Sequence, residues 1–182
     1  MQEITDENLK KLVEAAIFTA NKPLSLSQIK QGILANFNVK RRRLTAIIAT
    51  LKEDYKDRGI ELVEVASGFR FQTVEKYNEN LSIYHQEKAP KFSRAMLETL
   101  ALIAYKQPIT RGEIEEIRGV AVSSHITKTL LEREWIKTVG QKEVPGRPVL
   151  YATTTEFLDY FSLNSLAQLP ELMPINELVP IA

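Results

Sequence analysis

Few side chains in this chain have both the type and the spacing to do covalent chemistry. The two histidines, His85 and His125, stand forty residues apart and make no local metal-ligand pair. The absence of cysteine excludes a thiolate metal site, a thiol nucleophile and a disulfide scaffold. Ser123-Ser124-His125 comes nearest to a nucleophile beside its base. It falls at an expected helix start, where a serine caps the helix and a neighbouring histidine stands in water. No Gly-Lys-Ser/Thr phosphate loop, glycine-flanked serine or paired-histidine motif occurs. The reading is of a protein that is not an enzyme and uses no cofactor or metal.

Charge offers a second kind of chemistry, the holding of phosphate. Lys40-Arg41-Arg42-Arg43 places four cations at the start of an expected helix, where they oppose the helix dipole. They are the candidate nucleic-acid contacts; a solvated face or a partner contact is the other reading. The whole chain has 24 basic and 23 acidic residues, for a formal charge of +1. Residues 1–88 hold 14 basic and 12 acidic side chains, and residues 89–182 hold 10 and 11. A protein devoted to coating nucleic acid carries a larger basic surplus. Direct DNA binding is therefore expected to be weak or absent.

The elements that position these residues come in two copies. Shifted by 85 residues, Ile17, Pro23, Leu24, Ser25 and Ile29 fall on Leu102, Pro108, Ile109, Thr110 and Ile114. Each copy has a long helix, a proline-containing turn and a second helix opened by a capping box, Ser25-x-x-Gln28 or Thr110-x-x-Glu113. A third helical pattern follows, Lys40 to Lys56 with Leu44, Ile47, Ile48, Leu51 and Tyr55 at helical spacing, and Ser123 to Glu134 with Ile126, Leu130 and Leu131 inward. Strand-like segments come next: Ile60–Val65 and Phe69–Thr73 around Ala66-Ser67-Gly68, then Trp135–Val139 and Pro148–Thr153 around a stiffer loop.

Three helices and a β-hairpin make a winged helix. The expected fold is mainly α with small β wings, as two tandem winged-helix domains over residues 1–88 and 89–162. Their boundary is placed in the charged stretch Glu87-Lys88-Ala89-Pro90-Lys91. Val74–Tyr84 is expected to close the first unit and Thr155–Phe161 the second. Residues 163–182, with Pro170, Pro174 and Pro180, read as a flexible extension. With 44% hydrophobic and 26% charged residues the chain can bury a real core. No apolar run approaches the roughly 18 residues of a membrane span, and the expected location is the cytoplasm.

Two helix faces point to protein partners. Leu9, Leu12, Val13, Ala16, Ile17 and Ala20 form one apolar face of the first helix, while Phe18 points nearly opposite, with Ile4 and Ala15 on its side. A large aromatic facing away from its core calls for a second buried surface; a second copy of the chain and the chain's own terminal or linker segments are both open as its cover. The helix Ala95–Lys106 is apolar nearly all round. Met96, Leu100 and Ile103 take one side, while Leu97, Ala101, Ala104 and Tyr105 extend around the other. Either the first unit or a partner helix covers that second side.

One stretch resembles a known family. The run Leu97 to Arg111, Ile117-Arg118-Gly119-Val120, Thr129 to Arg133, Gly146 to Thr154, Phe157-Leu158-Asp159-Tyr160-Phe161 and Ser165 to Pro170 resemble, in order and spacing, the ScpB family of bacterial segregation and condensation proteins. The first unit resembles it more loosely, through Glu14-Ala15-Ala16-Ile17-Phe18 and the helix order. The resemblance implies a non-catalytic homodimer, joined through the first domains, that binds the central part of the kleisin ScpA. Through that kleisin it meets an SMC ATPase at the nucleoid, in chromosome condensation and segregation. Candidate dimer residues are then Ile4, Ala15 and Phe18. Candidate kleisin residues are Leu97, Ala101, Tyr105, Arg118, Arg147 and Tyr151, the last two on a stiff wing and of types enriched in interface hot spots. The family's pattern leads one to expect a small polar turn after Gly119-Val120, where this chain has Ala121-Val122. The rival reading is a winged-helix transcriptional regulator.

Overall fold

The computed structural model describes residues 2–85 and 92–171; the expected boundary at 88/89 lies outside them. The first unit opens with α1 (Asp6–Thr19), whose start is capped by the Thr5 hydroxyl accepting the Asn8 N–H. Leu9, Val13 and Ile17, spaced four apart, form its buried stripe. The second helix begins as α2 (Leu26–Gln28) and continues as a π-helical turn over Ile29–Ile33. Its capping box is closed in both directions: Ser25 Oγ accepts the Gln28 N–H at 3.2 Å, and Gln28 Oε1 accepts the Ser25 N–H at 2.9 Å. α3 (Arg41–Asp54) buries Leu44, Ile47, Ile48 and Leu51 against α1. These side chains, with Ile29, Leu34, Val39, Leu62 and Phe69, make the first core.

The first wing is β1 (Ile60–Val65) paired antiparallel with β2 (Gly68–Thr73), with Val65 opposite Gly68 and Ile60 opposite Thr73. Leu24 and Phe69 exchange both backbone hydrogen bonds at 2.9 Å, tying the wing to the turn before α2. Gly68 sits at that approach with φ +149°. A Cβ there would lie 2.3 Å from the Leu24 carbonyl carbon, so the contact admits only glycine. The segment after the wing, a 3-10 turn over Glu75–Tyr77 and α4 (Asn78–His85), does not close the unit as expected. Of its side chains that are described, none joins either core, and Ile83 is 71% exposed.

The second unit repeats the plan. α5 (Arg94–Lys106), capped by Ser93, buries Met96, Thr99, Leu100, Ile103 and Ala104. A short strand, β3 (Ile109–Thr110), precedes α6 (Arg111–Arg118), which ends at Gly119 in the left-handed conformation. β3 pairs with the wing strand β5 (Val149–Thr153), and β5 with β4 (Ile136–Gln141), giving the sheet order β3-β5-β4. The Leu24–Phe69 bridge is the same feature, reduced to one pair, in the first unit.

α7 (Ser124–Glu132) starts at the Ser123 cap. In the turn before it Val122 is buried, and its N–H is held by the Glu115 carboxylate at 2.8 Å. The apolar departure from a polar turn thus supplies a core side chain. α8 (Thr155–Tyr160), capped by Thr154, buries Phe157. Trp135, 3% exposed, lies among Phe92, Tyr160 and Phe161, with ring centroids 4.6–5.4 Å away, and the Arg133 guanidinium stacks over Phe92 and Trp135.

The two units touch through the tip of the first wing. The Ser67 N–H and hydroxyl donate to the Asp159 carboxylate at 3.0 and 2.6 Å, and the Ala66 N–H donates to the Leu163 carbonyl at 3.0 Å. The Arg70 guanidinium donates to Ser162 Oγ at 3.0 Å. Beyond α8 the chain stays against the second unit as far as Pro170. Leu163 and Leu169 pack on its core, and Leu166–Gln168 form one 3-10 turn. The extension expected from residue 163 therefore begins packed: Leu163 and Leu169 find apolar neighbours without needing a continuous helix. Among the described residues no helix is long and apolar enough to cross a membrane.

Candidate protein-interaction surfaces

The exposed aromatic of the first unit is the end of a row. The Tyr55 ring lies 4.7 Å from that of Phe71, and Phe71 meets Phe18 edge-on at 6.4 Å. Tyr55 is fixed in turn by its hydroxyl, which donates to the Glu14 carboxylate at 2.5 Å. Accepting that hydrogen bond, the carboxylate favours the protonated phenol and holds it above its ordinary pKa. Only Phe18 leaves the protein surface, 69% exposed, beside exposed Ala15. A shallow groove between Lys11, Glu14, Ala15 and Phe18 frames it. Ile4 does not join this patch. It is half-buried against the first core, and its carbonyl accepts from Arg43 at 2.6 Å, because the N-terminal segment folds back along α3.

The basic cluster divides along the helix. Arg43 pairs with Asp6 at 2.7 Å and is drawn into the fold. Lys40, Arg41 and Arg42 stay exposed and enter no ion pair among the described residues.

On the second unit α5 leaves Leu97 and Ala101 exposed and Tyr105 half-buried, whereas Ala104, expected on the same side, is buried in the second core. They form one wall of an apolar groove of about 310 Å³, whose other walls include Phe157, Phe161 and Leu169. The Tyr105 hydroxyl crosses it to donate to the Pro170 carbonyl at 2.6 Å.

Arg118 departs from its expected place as a contact residue. Its side chain is 8% exposed and reaches Glu98 at 3.1 Å, tying the end of α6 to α5. Hydrogen bonds from Arg94, then Arg118, hold the Glu98 carboxyl below its ordinary pKa. On the wing, Arg147 is exposed in a turn with φ 38°, while Tyr151 is half-buried on β5 opposite Ile109 and packs on the second core. Neither of these two lines the α5 groove.

Sequence reading missed the covering segment Leu163–Pro170 and the Ser67–Asp159 contact. The leucines at 163, 166 and 169 were a signal for the first; nothing local marks the second, which joins residues 92 apart. Glu113 closes the second capping box and also meets Lys142 of the wing at 2.6 Å. With Lys142 first and the Thr110 donors after it, the carboxyl is lowered to about 2. Among the described residues no group of three or more His, Cys, Asp or Glu is placed to hold a metal ion, and the α5 groove is lined by apolar side chains.

A family model described as segregation and condensation complex subunit ScpB matches residues 11–172. A segregation and condensation protein B homolog from Coxiella burnetii is 47% identical over 178 residues, which is 98% of this chain and 85% of that one. Segregation and condensation protein B of Geobacillus thermodenitrificans is 48% identical over 167 residues, 90% of this chain and 78% of its own. A solved dimer of an ScpB N-terminal domain complexed with ScpA peptide shares 33% identity over 43% of this chain and 95% of its own, with a TM-score of 0.38. Relatedness that runs through both winged-helix units at this level places the chain in the ScpB family of segregation and condensation complex subunits.

Proposed function

We propose that the chain works as a non-catalytic, homodimeric subunit of a bacterial SMC–kleisin complex. It holds the central part of the kleisin ScpA and meets the SMC ATPase and the nucleoid through it, in chromosome condensation and segregation. The match of one family model across residues 11–172 carries this reading. The surfaces agree with it. The Phe18–Ala15 face of α1 is the dimer contact, since an aromatic 69% exposed at the end of a fixed ring row presents a rigid anchor at low entropic cost. The α5 face with Leu97, Ala101 and Tyr105 takes the kleisin, as an apolar groove takes an amphipathic helix. Arg147 and Tyr151 offer a second contact on the wing, and Arg118 acts indirectly by holding α6 on α5.

Light scattering on the chain, alone and mixed with the central segment of its kleisin, tests this. Twice the 20.7 kDa chain mass is expected alone, with a gain on mixing. Phe18→Glu is expected to reduce the mass to one chain. A mass unchanged by the kleisin over a wide concentration range would refute the kleisin contact, and a dimeric Phe18→Glu variant the role of that face. The exposed Lys40, Arg41 and Arg42 favour the regulator as a second reading. It requires duplex DNA binding that falls steeply with salt and is lost when the three become glutamate.

A further inference from the structure

The α5 groove is already occupied in part by the chain itself. We infer that the segment Asn164–Glu171 is a removable strap over this groove and that the kleisin's central segment enters by displacing it; the inference rests on the kleisin reading above. Two parts of the same stretch are held very differently. Leu163 is an anchor: its N–H donates to the Leu158 carbonyl at 2.8 Å, its own carbonyl accepts from Ala66 of the first wing, and its side chain packs on the second core. Beyond it the hold is slight. Leu169 alone packs on the core, half-buried, the Pro170 carbonyl accepts from Tyr105, and the remaining residues are exposed.

The strap also fits loosely, since about 310 Å³ stays open between it, Leu97, Ala101 and Phe161. What it does place there describes the occupant the groove accepts: an aliphatic side chain, with a backbone carbonyl facing the Tyr105 hydroxyl. An amphipathic segment with a row of leucines supplies the same groups and fills the space that the strap leaves. A self-occupied site lowers the apparent affinity by the fraction of molecules in which it is open, so the strap sets how readily the partner is taken up.

The test is Leu169→Gln in the full chain, with the kinetics of binding to the central kleisin segment measured beside the natural protein. Binding is expected to tighten about fivefold through faster association, with dissociation unchanged, because Leu169 walls the groove only while the strap is closed and has left it in the complex. Equal affinity overturns the strap while leaving the kleisin reading intact. Weaker binding overturns it too, since Leu169 would then be part of the complex. No binding by either protein overturns both readings together. If Leu169→Gln does not fold, a chain ending at Asn164 is measured in its place, with the same expected and refuting results.

Discussion

Removing the Asp159 carboxylate is predicted to loosen the two units from each other while leaving each one folded. Asp159 accepts two hydrogen bonds from Ser67, at 3.0 Å from the N–H and 2.6 Å from the hydroxyl. A hydrogen bond to a charged group contributes about 1.5–3 kcal/mol. Both residues are half-buried, so water replaces part of each bond and the pair together is worth about 2 kcal/mol. At 1.4 kcal/mol per factor of ten, that is an interface that opens about 30-fold more often. The neighbouring Ala66 amide is the reporter. It donates to the Leu163 carbonyl across the interface and not to Asp159, so it exchanges faster only if the units part. Hydrogen exchange read residue by residue in Asp159→Ala should therefore show the Ala66 amide about 30-fold faster and the amides of α5 unchanged. Faster exchange at Ser67 with the Ala66 amide within threefold of the natural protein would refute the reasoning, for the carboxylate would then hold only its own donor.

Substitutions at two further positions test the frame of the units. Gly68→Ala drives a methyl group to 2.3 Å from the Leu24 carbonyl carbon, which is held by two hydrogen bonds to Phe69, and should cost about 3 kcal/mol or more in urea denaturation; a cost under about 1 kcal/mol would mean that the turn can retreat. Glu113→Ala removes half of a capping box and should cost about 1 kcal/mol at neutral pH, whereas Glu113→Gln should retain the cap, as Gln28 does at the matching place in the first unit. The pH response separates them further. The Glu113 carboxyl titrates at about 2 in the folded chain, below its ordinary 4.5, so its stabilisation is complete above 4.5 and is lost as pH falls towards 2. Glu113→Gln should flatten that acid-side loss, and urea midpoints at pH 5 and pH 2.5 that fall equally in both proteins would contradict it.

The features legible in the sequence were those that recur at a fixed period. Two capping boxes 85 residues apart, and leucines and isoleucines at helical spacing, located the helices and most of both cores. The phase of α1 and α5 also separated the exposed Phe18 and Leu97 from the buried Ile17 and Leu100. Signals too short to have a period were hidden. β3 is two residues long and exists because β5 lies beside it, and the π-helical turn after Gln28 leaves no mark on the apolar pattern. Pairings made across the fold were hidden for another reason. Arg118 reads as a free cation until Glu98 is placed against it, and Ile4 reads as part of an outward face until the segment folds back onto Arg43. Proline spacing forbade a helix after residue 163 but said nothing about packing, and the strap is packing without a long helix.

The chain has one tryptophan, and it lies wholly within the second unit, in the ring cluster with Phe92, Tyr160 and Phe161. Its emission therefore follows the second unit and the cleft that it lines with Lys22, Pro23, Gln28 and Ser67 of the first, while the first unit's own aromatic residues, phenylalanine and tyrosine, stay dark at wavelengths that excite only indole. Far-ultraviolet dichroism weighs the helices of both. One sample read in the two ways gives two unfolding curves, and the gap between them measures how far the wing-tip contact makes two small domains behave as one cooperative body.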